Sequence, residues 1–151
     1  MVLWHSDECF NDPIVTTVRE RIAHVTGVPE SNFECLQLLK YLVGQFYKPH
    51  IDYIEVHAEQ SHGPRLLTFF IYFNSVEKGG GTRFPILDNL TVEPRQGRAL
   101  IWPSVLDDDL TAEDKRTEHE ALPVEKGEKY AANAWIHTRD YQGPFKEGCP
   151  S

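Results

Sequence analysis

The segment Tyr47-Lys48-Pro49-His50-Ile51-Asp52-Tyr53 is the part of the chain around which the rest is organised. Alternate side chains of a β-strand project from the same face of its sheet, so a strand here would carry His50 and Asp52 side by side. With one remote histidine, such a pair forms the two-histidine, one-carboxylate set that holds a metal ion and leaves its opposite face open. We predict that His119, in Arg116-Thr117-Glu118-His119, completes the set.

The metal that this set would bind is only partly determined by the ligands. An isolated His-x-Asp pair is a weak motif, because ordinary surface strands also carry two polar side chains at this spacing. Non-haem Fe(II) oxygenases use these three ligands and bind a co-substrate and O₂ at the open positions, whereas Zn²⁺ or Mn²⁺ can occupy the same ligands. Other segments of the chain are therefore needed to support a metal site at this pair.

Length and composition indicate one globular domain. The 151 residues suit a single domain and suffice to bury a core without disulfides or metal ions. A formal net charge of −8 argues against a nucleic-acid-binding domain, which would carry a basic patch. No apolar run approaches the roughly 20 residues of a membrane helix. We expect no nucleic-acid partner and no membrane segment in this chain.

The N-terminus and the cysteines leave the compartment open. Residues 1–5 lack the basic start and apolar core of a signal peptide. We expect a cytoplasmic protein, or one of the endoplasmic reticulum and secretory pathway if a signal or anchor was removed. Cys9, Cys35 and Cys149 form no C-x-x-C motif, which excludes a zinc finger and a thioredoxin site. One disulfide with a free thiol and three free thiols are both open.

One helix is predicted ahead of the strands. Residues 1–11 show no periodic pattern and are expected to be coil. Asp12 caps the helix and Pro13 fits its first position, while Gly27 and Pro29 end it. The apolar face is predicted from four residues at helical spacing: Ile14, Val18, Ile22 and Val25.

Short strands separated by glycine and proline turns make up the rest of the predicted structure. The predicted strands are 36–41, 46–53, 66–73, 82–84, 90–92, 99–102, 119–124 and 129–137. This pattern predicts a mainly β fold with an N-terminal helix, best matched by a double-stranded β-helix, the cupin-like jelly roll. Residues 66–73 form the most apolar strand, which we expect to be buried on both faces.

Three polar segments between the strands are predicted to lie in solvent. Residues 55–64 are expected to form a mobile loop, with His57 and His62 as solvated side chains rather than metal ligands. Residues 78–81 are expected to form a glycine turn. The acidic segment 106–114 is expected to be a solvated loop, because it lacks the ligand spacing and the glycine of an EF-hand.

Lys129 is a candidate for binding an anion near the metal. A bound 2-oxo acid with two carboxylates would chelate the metal at one end and need a fixed cation and a hydroxyl donor at the other. Lys129 can supply the cation, and Thr82 or Tyr41 the hydroxyl. An ordinary surface position for Lys129 is equally compatible with the sequence.

Five segments resemble the catalytic domain of prolyl 4-hydroxylases, which are Fe(II)- and 2-oxoglutarate-dependent dioxygenases with a double-stranded β-helix fold. The matching segments, in chain order, are 44–53, 63–74, 79–85, 116–124 and 127–137. The resemblance extends over residues 36–140. It is closer to plant, algal and protist members than to the animal collagen enzymes.

The resemblance implies roles for nine side chains in three groups. It implies that the iron ligands are His50, Asp52 and His119. It implies that the 5-carboxylate of 2-oxoglutarate is held by Lys129 and Thr82, with Tyr41 contributing to the pocket. The positions matching the peptide groove are Tyr47, Arg65 and Trp135. The loop 55–64 matches a mobile loop that closes over the peptide.

The implied reaction is hydroxylation of proline at C4 in proline-rich peptides or proteins, with ascorbate as reductant and release of succinate and CO₂. Such peptides are preformed as polyproline II helices, which suits an aromatic groove. The acidic surface would favour a lysine-bearing peptide. The same chemistry on another peptide residue or a small molecule is an alternative, as is a non-catalytic jelly-roll module that binds a ligand or structural metal. The oligomeric state is open.

The chain departs from the family pattern at two places. Gly81 stands before Thr82, where the family usually has an acid or alanine, so we expect a looser turn with the site intact. Family members generally carry further strands, and often an anchor or signal, ahead of the helix. We therefore expect residues 1–151 to be a single catalytic domain, and an N-terminal truncation would put the N-terminal part of the groove in doubt.

Overall fold

Ten strands and three helices make up residues 7–146, the part of the chain described by the computed structural model. The helices are α1 (Asp7–Asn11), α2 (Pro13–Thr26) and α3 (Gln142–Lys146). The strands are β1 (Gln37–Tyr41), β2 (Tyr47–His50), β3 (Arg65–Tyr72), β4 (Lys78–Gly79), β5 (Thr82–Phe84), β6 (Leu90–Val92), β7 (Ala99–Pro103), β8 (His119–Ala121), β9 (Val124–Lys126) and β10 (Lys129–His137). None of the helices in this range is long and apolar enough to cross a membrane.

The strands form two four-stranded sheets and one two-stranded ribbon. The major sheet has the order β1-β10-β3-β7, the minor sheet β2-β8-β5-β6, and the ribbon pairs β4 with β9. All of these pairs are antiparallel. One core cluster combines side chains of both sheets, including Phe70 and Trp102 from the major sheet and Phe84 from the minor sheet. The predicted mainly β jelly roll with an N-terminal helix is confirmed.

Strand β3 is buried on both faces at its centre, as predicted from its apolar sequence. Phe69 packs in the cluster beneath α2, and Phe70 packs in the core between the sheets. Successive side chains of a strand point to opposite faces, so one strand contributes to both clusters. The site described below lies on the Phe70 side.

Helix α2 begins and ends where the sequence predicts. The Asp12 carboxylate accepts hydrogen bonds from the amides of Ile14 and Val15, and Gly27 ends the helix in the left-handed conformation at φ 71°. The predicted apolar face is only half correct, because Ile14 is 74% and Val25 63% exposed. The face that packs on the sheet consists of Val15, Val18, Ile22 and Ala23.

The structure differs from the prediction at several segment boundaries. Residues 7–11 form a short helix instead of coil. Strand β2 ends at His50, and the predicted strand 119–124 is divided into β8 and β9. In the predicted turn 78–81, Lys78–Gly79 pairs with β9 as strand β4. Strands β4, β8 and β9 are set by pairing with distant strands, which local sequence patterns do not register.

Cys9 and Cys35 form a disulfide that joins α1 to the segment before β1. Both side chains are buried. This is the one-disulfide alternative that the sequence left open, and Cys149 lies outside the described residues.

Candidate metal centre

His50 and His119 face each other across two paired strands. The register of β2 and β8 sets the two residues opposite one another, with 4.3 Å between their ring centroids. Asp52, two residues beyond β2, lies 3.8 Å from His50 (Oδ1 to Nε2) and 3.6 Å from His119 (Oδ2 to Nε2). One ligand atom from each residue lies within 4.8 Å of the other two. The structure thus brings the three predicted metal ligands together.

Backbone carbonyls fix which nitrogen of each imidazole faces the centre. His50 Nδ1 lies 2.8 Å from the Lys48 carbonyl oxygen, and His119 Nδ1 lies 3.0 Å from that of Thr117. A nitrogen facing a carbonyl donates its proton there, so the lone pair resides on Nε2, which faces Asp52. Burial lowers the pKa of His119 despite the nearby Asp52 carboxylate, which favours the neutral, metal-binding form. Two neutral imidazoles and a carboxylate fit the Fe(II) facial triad.

Thr68 supports the carboxylate of this triad. Its hydroxyl donates a hydrogen bond of 2.6 Å to Asp52 Oδ2, and the side chain is fully buried in β3. Sequence reasoning missed this contact. The available signal was a single polar residue inside the apolar strand 66–73, because a buried hydroxyl requires a partner.

Lys129 is buried, which rules out the surface position that the sequence also allowed. The side chain is 1% exposed, and its ammonium has no hydrogen-bond partner among the described residues. Nζ lies 5.2 to 5.4 Å from the ring centroids of Tyr41, Phe70 and Tyr72. Desolvation lowers the pKa of Lys129 to about 8. An unpaired buried ammonium is costly, and a carboxylate bound beside it would remove that cost.

Thr82 lies in the same pocket and is paired with a residue that the sequence analysis did not select. Its Oγ1 lies 2.6 Å from the Tyr72 hydroxyl, and burial raises the pKa of Tyr72 to about 12. Burial, followed by the charge of Tyr47, raises the pKa of Tyr41 to about 12 as well. Both phenols therefore stay neutral at physiological pH, and when Tyr72 donates to Thr82, the Thr82 hydroxyl is free to donate to a ligand.

All of the predicted site residues line one cavity of about 270 Å³. They are Tyr41, Tyr47, His50, Asp52, Arg65, Thr82, His119, Lys129 and Trp135. The cavity therefore contains both a triad suited to a metal and a buried cation suited to an anion. A molecule that chelates the metal and carries a second carboxylate matches these two features.

The predicted groove residues line this cavity from both four-stranded sheets, Tyr47 from β2 and Arg65 and Trp135 from β3 and β10. The Arg65 guanidinium lies 3.6 Å from the ring centroid of Trp135 and donates to the Glu34 carboxylate at 2.7 and 3.2 Å. Tyr47 is 44% exposed and contacts His50 edge-on. Arg65 is thus held in place by Glu34, a buried residue that sequence reasoning did not identify.

A second group of three histidines lies in and beside the 55–64 segment. His57 lies in a 3-10 turn (Glu55–Glu59), His62 is 1% exposed, and His137 ends β10. The prediction of a solvated side chain is therefore wrong for His62, because its ring packs against His57 and His137. Desolvation lowers the pKa of His57 to about 4 and also lowers that of His62.

Residues 36–137 match the sequence profile of the 2OG-Fe(II) oxygenase superfamily. A probable prolyl 4-hydroxylase 7 of Arabidopsis thaliana is 35% identical over 158 residues, covering 91% of this chain and 49% of that protein. The prolyl 4-hydroxylase subunit alpha-1 of Rattus norvegicus is 34% identical over 146 residues, covering 93% of this chain and 26% of that protein.

A crystal structure of similar fold is the viral collagen prolyl hydroxylase vCPH of Paramecium bursaria Chlorella virus-1, in its 2OG complex. It superposes with a TM-score of 0.74 at 27% identity, covering 90% of this chain and 77% of that one. The chain spans about half the length of the plant relative (49%) and about a quarter of the rat subunit (26%). The profile match covers more than half of the chain, and the resemblance to prolyl 4-hydroxylases is confirmed by these relatives. The chain belongs to the 2OG-Fe(II) oxygenase superfamily.

Proposed function

We propose that the protein is an Fe(II)- and 2-oxoglutarate-dependent dioxygenase that hydroxylates C4 of proline in proline-rich peptides or proteins. The observation that carries this proposal is the unpaired, buried ammonium of Lys129 in the same cavity as the His50, Asp52 and His119 triad. A structural metal alone would not require a buried cation in the same cavity. The plant and rat relatives named prolyl 4-hydroxylases support the choice of substrate.

The triad would hold Fe(II), which supplies oxygen activation when it is bound with 2-oxoglutarate and O₂. Overall, the reaction converts 2-oxoglutarate, O₂ and a prolyl peptide into succinate, CO₂ and a hydroxyprolyl peptide, and ascorbate serves as reductant. The chain's own contribution to this step is orientation. The carbonyls of Lys48 and Thr117 fix both imidazoles, and Thr68 fixes the carboxylate of Asp52.

Lys129 and Thr82 would bind the 5-carboxylate of 2-oxoglutarate. Ion pairing to a buried carboxylate restores the charged form of the ammonium, and a neighbouring hydroxyl adds a hydrogen bond to the anion. The rings of Tyr41, Phe70 and Tyr72 surround Nζ and exclude water from the pair. This placement leaves the 2-oxo acid end to the metal.

The peptide would lie against Tyr47, Trp135 and Arg65. Flat aromatic and guanidinium surfaces suit a polyproline II helix, which loses little conformational entropy on binding. We propose that residues 55–64 close over the bound peptide and limit the entry of water. The net charge of −8 favours peptides that also carry lysine.

Succinate release tests this proposal directly. The full chain, loaded with Fe(II) and supplied with ascorbate and air, is incubated with 2-oxoglutarate and proline-rich peptides, and the peptides are read by mass. We expect succinate release that rises with peptide, together with one added oxygen on proline. Lys129→Ala should weaken 2-oxoglutarate use, whereas Lys40→Ala, a change at an exposed lysine of β1, should not.

Two other results would redirect the assignment. If succinate is released but every peptide stays unmodified, the protein would act by the same chemistry on another residue type or on a small molecule. The absence of succinate in folded, metal-loaded protein would favour a binding module without turnover.

We also propose that the protein resides in the endoplasmic reticulum or secretory pathway, where disulfides persist. The Cys9–Cys35 disulfide supports this choice over the cytoplasm. Labelling of thiols in denatured protein from its natural source should leave Cys9 and Cys35 unlabelled before reduction and label both after it. Three reactive thiols before reduction would contradict the proposal.

A further inference from the structure

The second histidine group has the spacing of a metal site. One ring nitrogen from each of His57, His62 and His137 lies within 4.8 Å of the other two, the same limit that the iron triad meets. The ring centroids are 4.3 to 5.5 Å apart. This histidine cluster, defined by these three residues, shares no residue with the triad and does not line the cavity described above.

A buried carboxylate sets the tautomer of one member. His137 Nε2 lies 2.8 Å from Glu34 Oε1, and the same carboxylate accepts from Arg65. A histidine that donates to a carboxylate keeps its lone pair on the other nitrogen, and metal-bound histidines very often have this arrangement. In His137 that other nitrogen is Nδ1, which faces His62.

If the His62 and His137 rings are both neutral, they carry too few protons to make every short contact around His137 Nδ1 a hydrogen bond. This nitrogen lies 2.9 Å from His62 Nδ1 and 2.7 Å from the Gly63 carbonyl oxygen, and His62 Nδ1 also lies 2.7 Å from that oxygen. A proton on His62 Nδ1 can serve one of these contacts, which leaves His137 Nδ1 facing a carbonyl with lone pairs on both atoms. A cation bound to His137 Nδ1 would remove this repulsion.

Two further nitrogens of the cluster are buried without a partner. His62 Nε2 and His57 Nδ1 have no hydrogen bond among the described residues. His62 itself is 1% exposed, so solvent does not satisfy it. A buried polar atom without a partner is rare in a folded protein and indicates a missing ion or water.

We propose that His57, His62 and His137 form a second metal site, which binds a divalent ion of the zinc type. The cluster offers imidazoles without a carboxylate, and imidazole ligands suit Zn²⁺. Zinc–nitrogen bonds of about 2.0–2.1 Å would require small shifts of the rings from their present contacts. The ion is distinct from the iron of the proposed catalytic site.

The position of the cluster gives the ion a structural role. It would join the 3-10 turn at 55–59 and His62 to the end of β10. Through Glu34 it would also reach Arg65, which stacks on Trp135 in the wall of the peptide groove. The ion would therefore restrict the range over which the 55–64 segment moves beside the groove.

Metal stoichiometry tests the proposal without relying on turnover. Full-length protein stripped of metal is dialysed against Zn²⁺, and bound zinc is counted by mass spectrometry. Because zinc also occupies the triad, we expect the wild type to bind one equivalent more than His57→Ala, and one more than His119→Ala. The double variant should lose both, whereas His24→Ala, a change at an exposed histidine of α2, should keep both.

A second measurement separates the two sites by their spectra. Tetrahedral Co²⁺ bound to three imidazoles should give a strong visible absorption band that survives in His119→Ala and is lost in His57→Ala, where only the weaker absorption of Co²⁺ at the triad remains. His57 is only half-buried, so this variant should fold, and its far-UV circular dichroism checks that it does. The second metal site does not exist if His119→Ala binds no Zn²⁺ or Co²⁺, or if His57→Ala binds as much metal as the wild type. In that case hydrogen bonds alone hold the three rings together.

Discussion

Thr68 and Asp52 form a buried hydrogen bond of 2.6 Å between the major sheet and the metal centre. Thr68 lies in β3, opposite Trp135 of β10 and Trp102 of β7. Asp52 lies just beyond the end of β2, where no strand pairing orients its side chain. The hydroxyl of Thr68 therefore fixes the direction of a carboxylate that the backbone leaves free to rotate.

Replacing this hydroxyl with a methyl group should weaken metal binding while preserving the shape of the side chain. We expect Thr68→Val to raise the dissociation constant for Fe(II) or Mn²⁺ by about 10- to 100-fold, the range seen when partners of metal ligands are removed. Isothermal titration under anaerobic conditions measures the constant. Thr68→Ser keeps the hydroxyl and should bind the metal nearly as well as the wild type. A larger loss in Thr68→Ser than in Thr68→Val would show that the methyl group, not the hydrogen bond, matters.

His119→Ala should abolish succinate release and leave the fold intact. The variant loses one of three metal ligands, but the β2–β8 pairing that carries His119 is formed by backbone hydrogen bonds. Succinate assays and the thermal midpoint together separate the two effects, and His24→Ala provides a histidine control at an exposed position. Residual turnover in folded His119→Ala would disprove the assignment of this residue to the metal.

The fold was largely predictable because strand sequence and burial follow the same periodicity. Leu66 to Phe73 is apolar apart from Thr68, and both of its faces are buried at the centre, as the sequence predicts. Helix α2 was also predictable, because the residues that begin and end it, Asp12 and Gly27, act on the helix itself and not through distant partners. The His-x-Asp motif likewise predicted that His50 and Asp52 lie side by side, as they do in the structure.

Residues whose importance depends on distant partners could not be predicted from the sequence. Glu34 contacts His137 and Arg65, which lie far along the chain. His62 looked like a loop residue because its neighbours in sequence are polar, yet β10 and the 3-10 turn bury it. Burial and charge pairing of this kind are properties of the assembled sheets.

The lowered pKa of Lys129 predicts a loss of 2-oxoglutarate affinity at alkaline pH. The ammonium titrates at about 8 in the folded protein, well below its usual 10.5. Above pH 8 the free protein increasingly carries a neutral amine, which cannot pair with a carboxylate. We expect the dissociation constant for 2-oxoglutarate to rise by about tenfold per pH unit above this value. Binding of a 2-oxoglutarate analogue measured from pH 6 to 10 tests the slope, and an unchanged affinity over this range would refute the pairing.

The same lysine should destabilise the free protein. Because the folded pKa lies below the unfolded one, the penalty is fully present below pH 8 and is relieved as pH rises towards 10.5. A shift of this size corresponds to about 3 kcal/mol. Lys129→Met removes the buried charge and should raise the free energy of unfolding at pH 7 by up to that amount while weakening 2-oxoglutarate binding. Denaturant unfolding measures this gain, and a destabilised Lys129→Met would mean that the charge is already paired.

Glu34 should stabilise the protein at neutral pH and lose this effect in acid. Burial raises the pKa of its carboxyl, but hydrogen bonds from His137 and Arg65 and the charge of Arg65 outweigh burial and lower it to about 2. Since the folded pKa lies below its usual 4.5, the stabilisation is present above pH 4.5 and is lost as pH falls towards 2. We expect Glu34→Gln to lower the free energy of unfolding by about 3 kcal/mol at pH 7.

The difference in the free energy of unfolding between the wild type and Glu34→Gln should become smaller below pH 4.5, because protonation then removes the charge of Glu34 from the wild type as well. Glu128→Gln, at an exposed carboxylate paired with Lys40, should change stability little at any pH. Since Glu34 also holds Arg65 against Trp135, Glu34→Gln should raise the KM for peptide more than that for 2-oxoglutarate. If the stability difference does not change with pH, Glu34 stabilises the protein by packing and not by its charge. If both KM values change equally, Arg65 does not contribute to peptide binding.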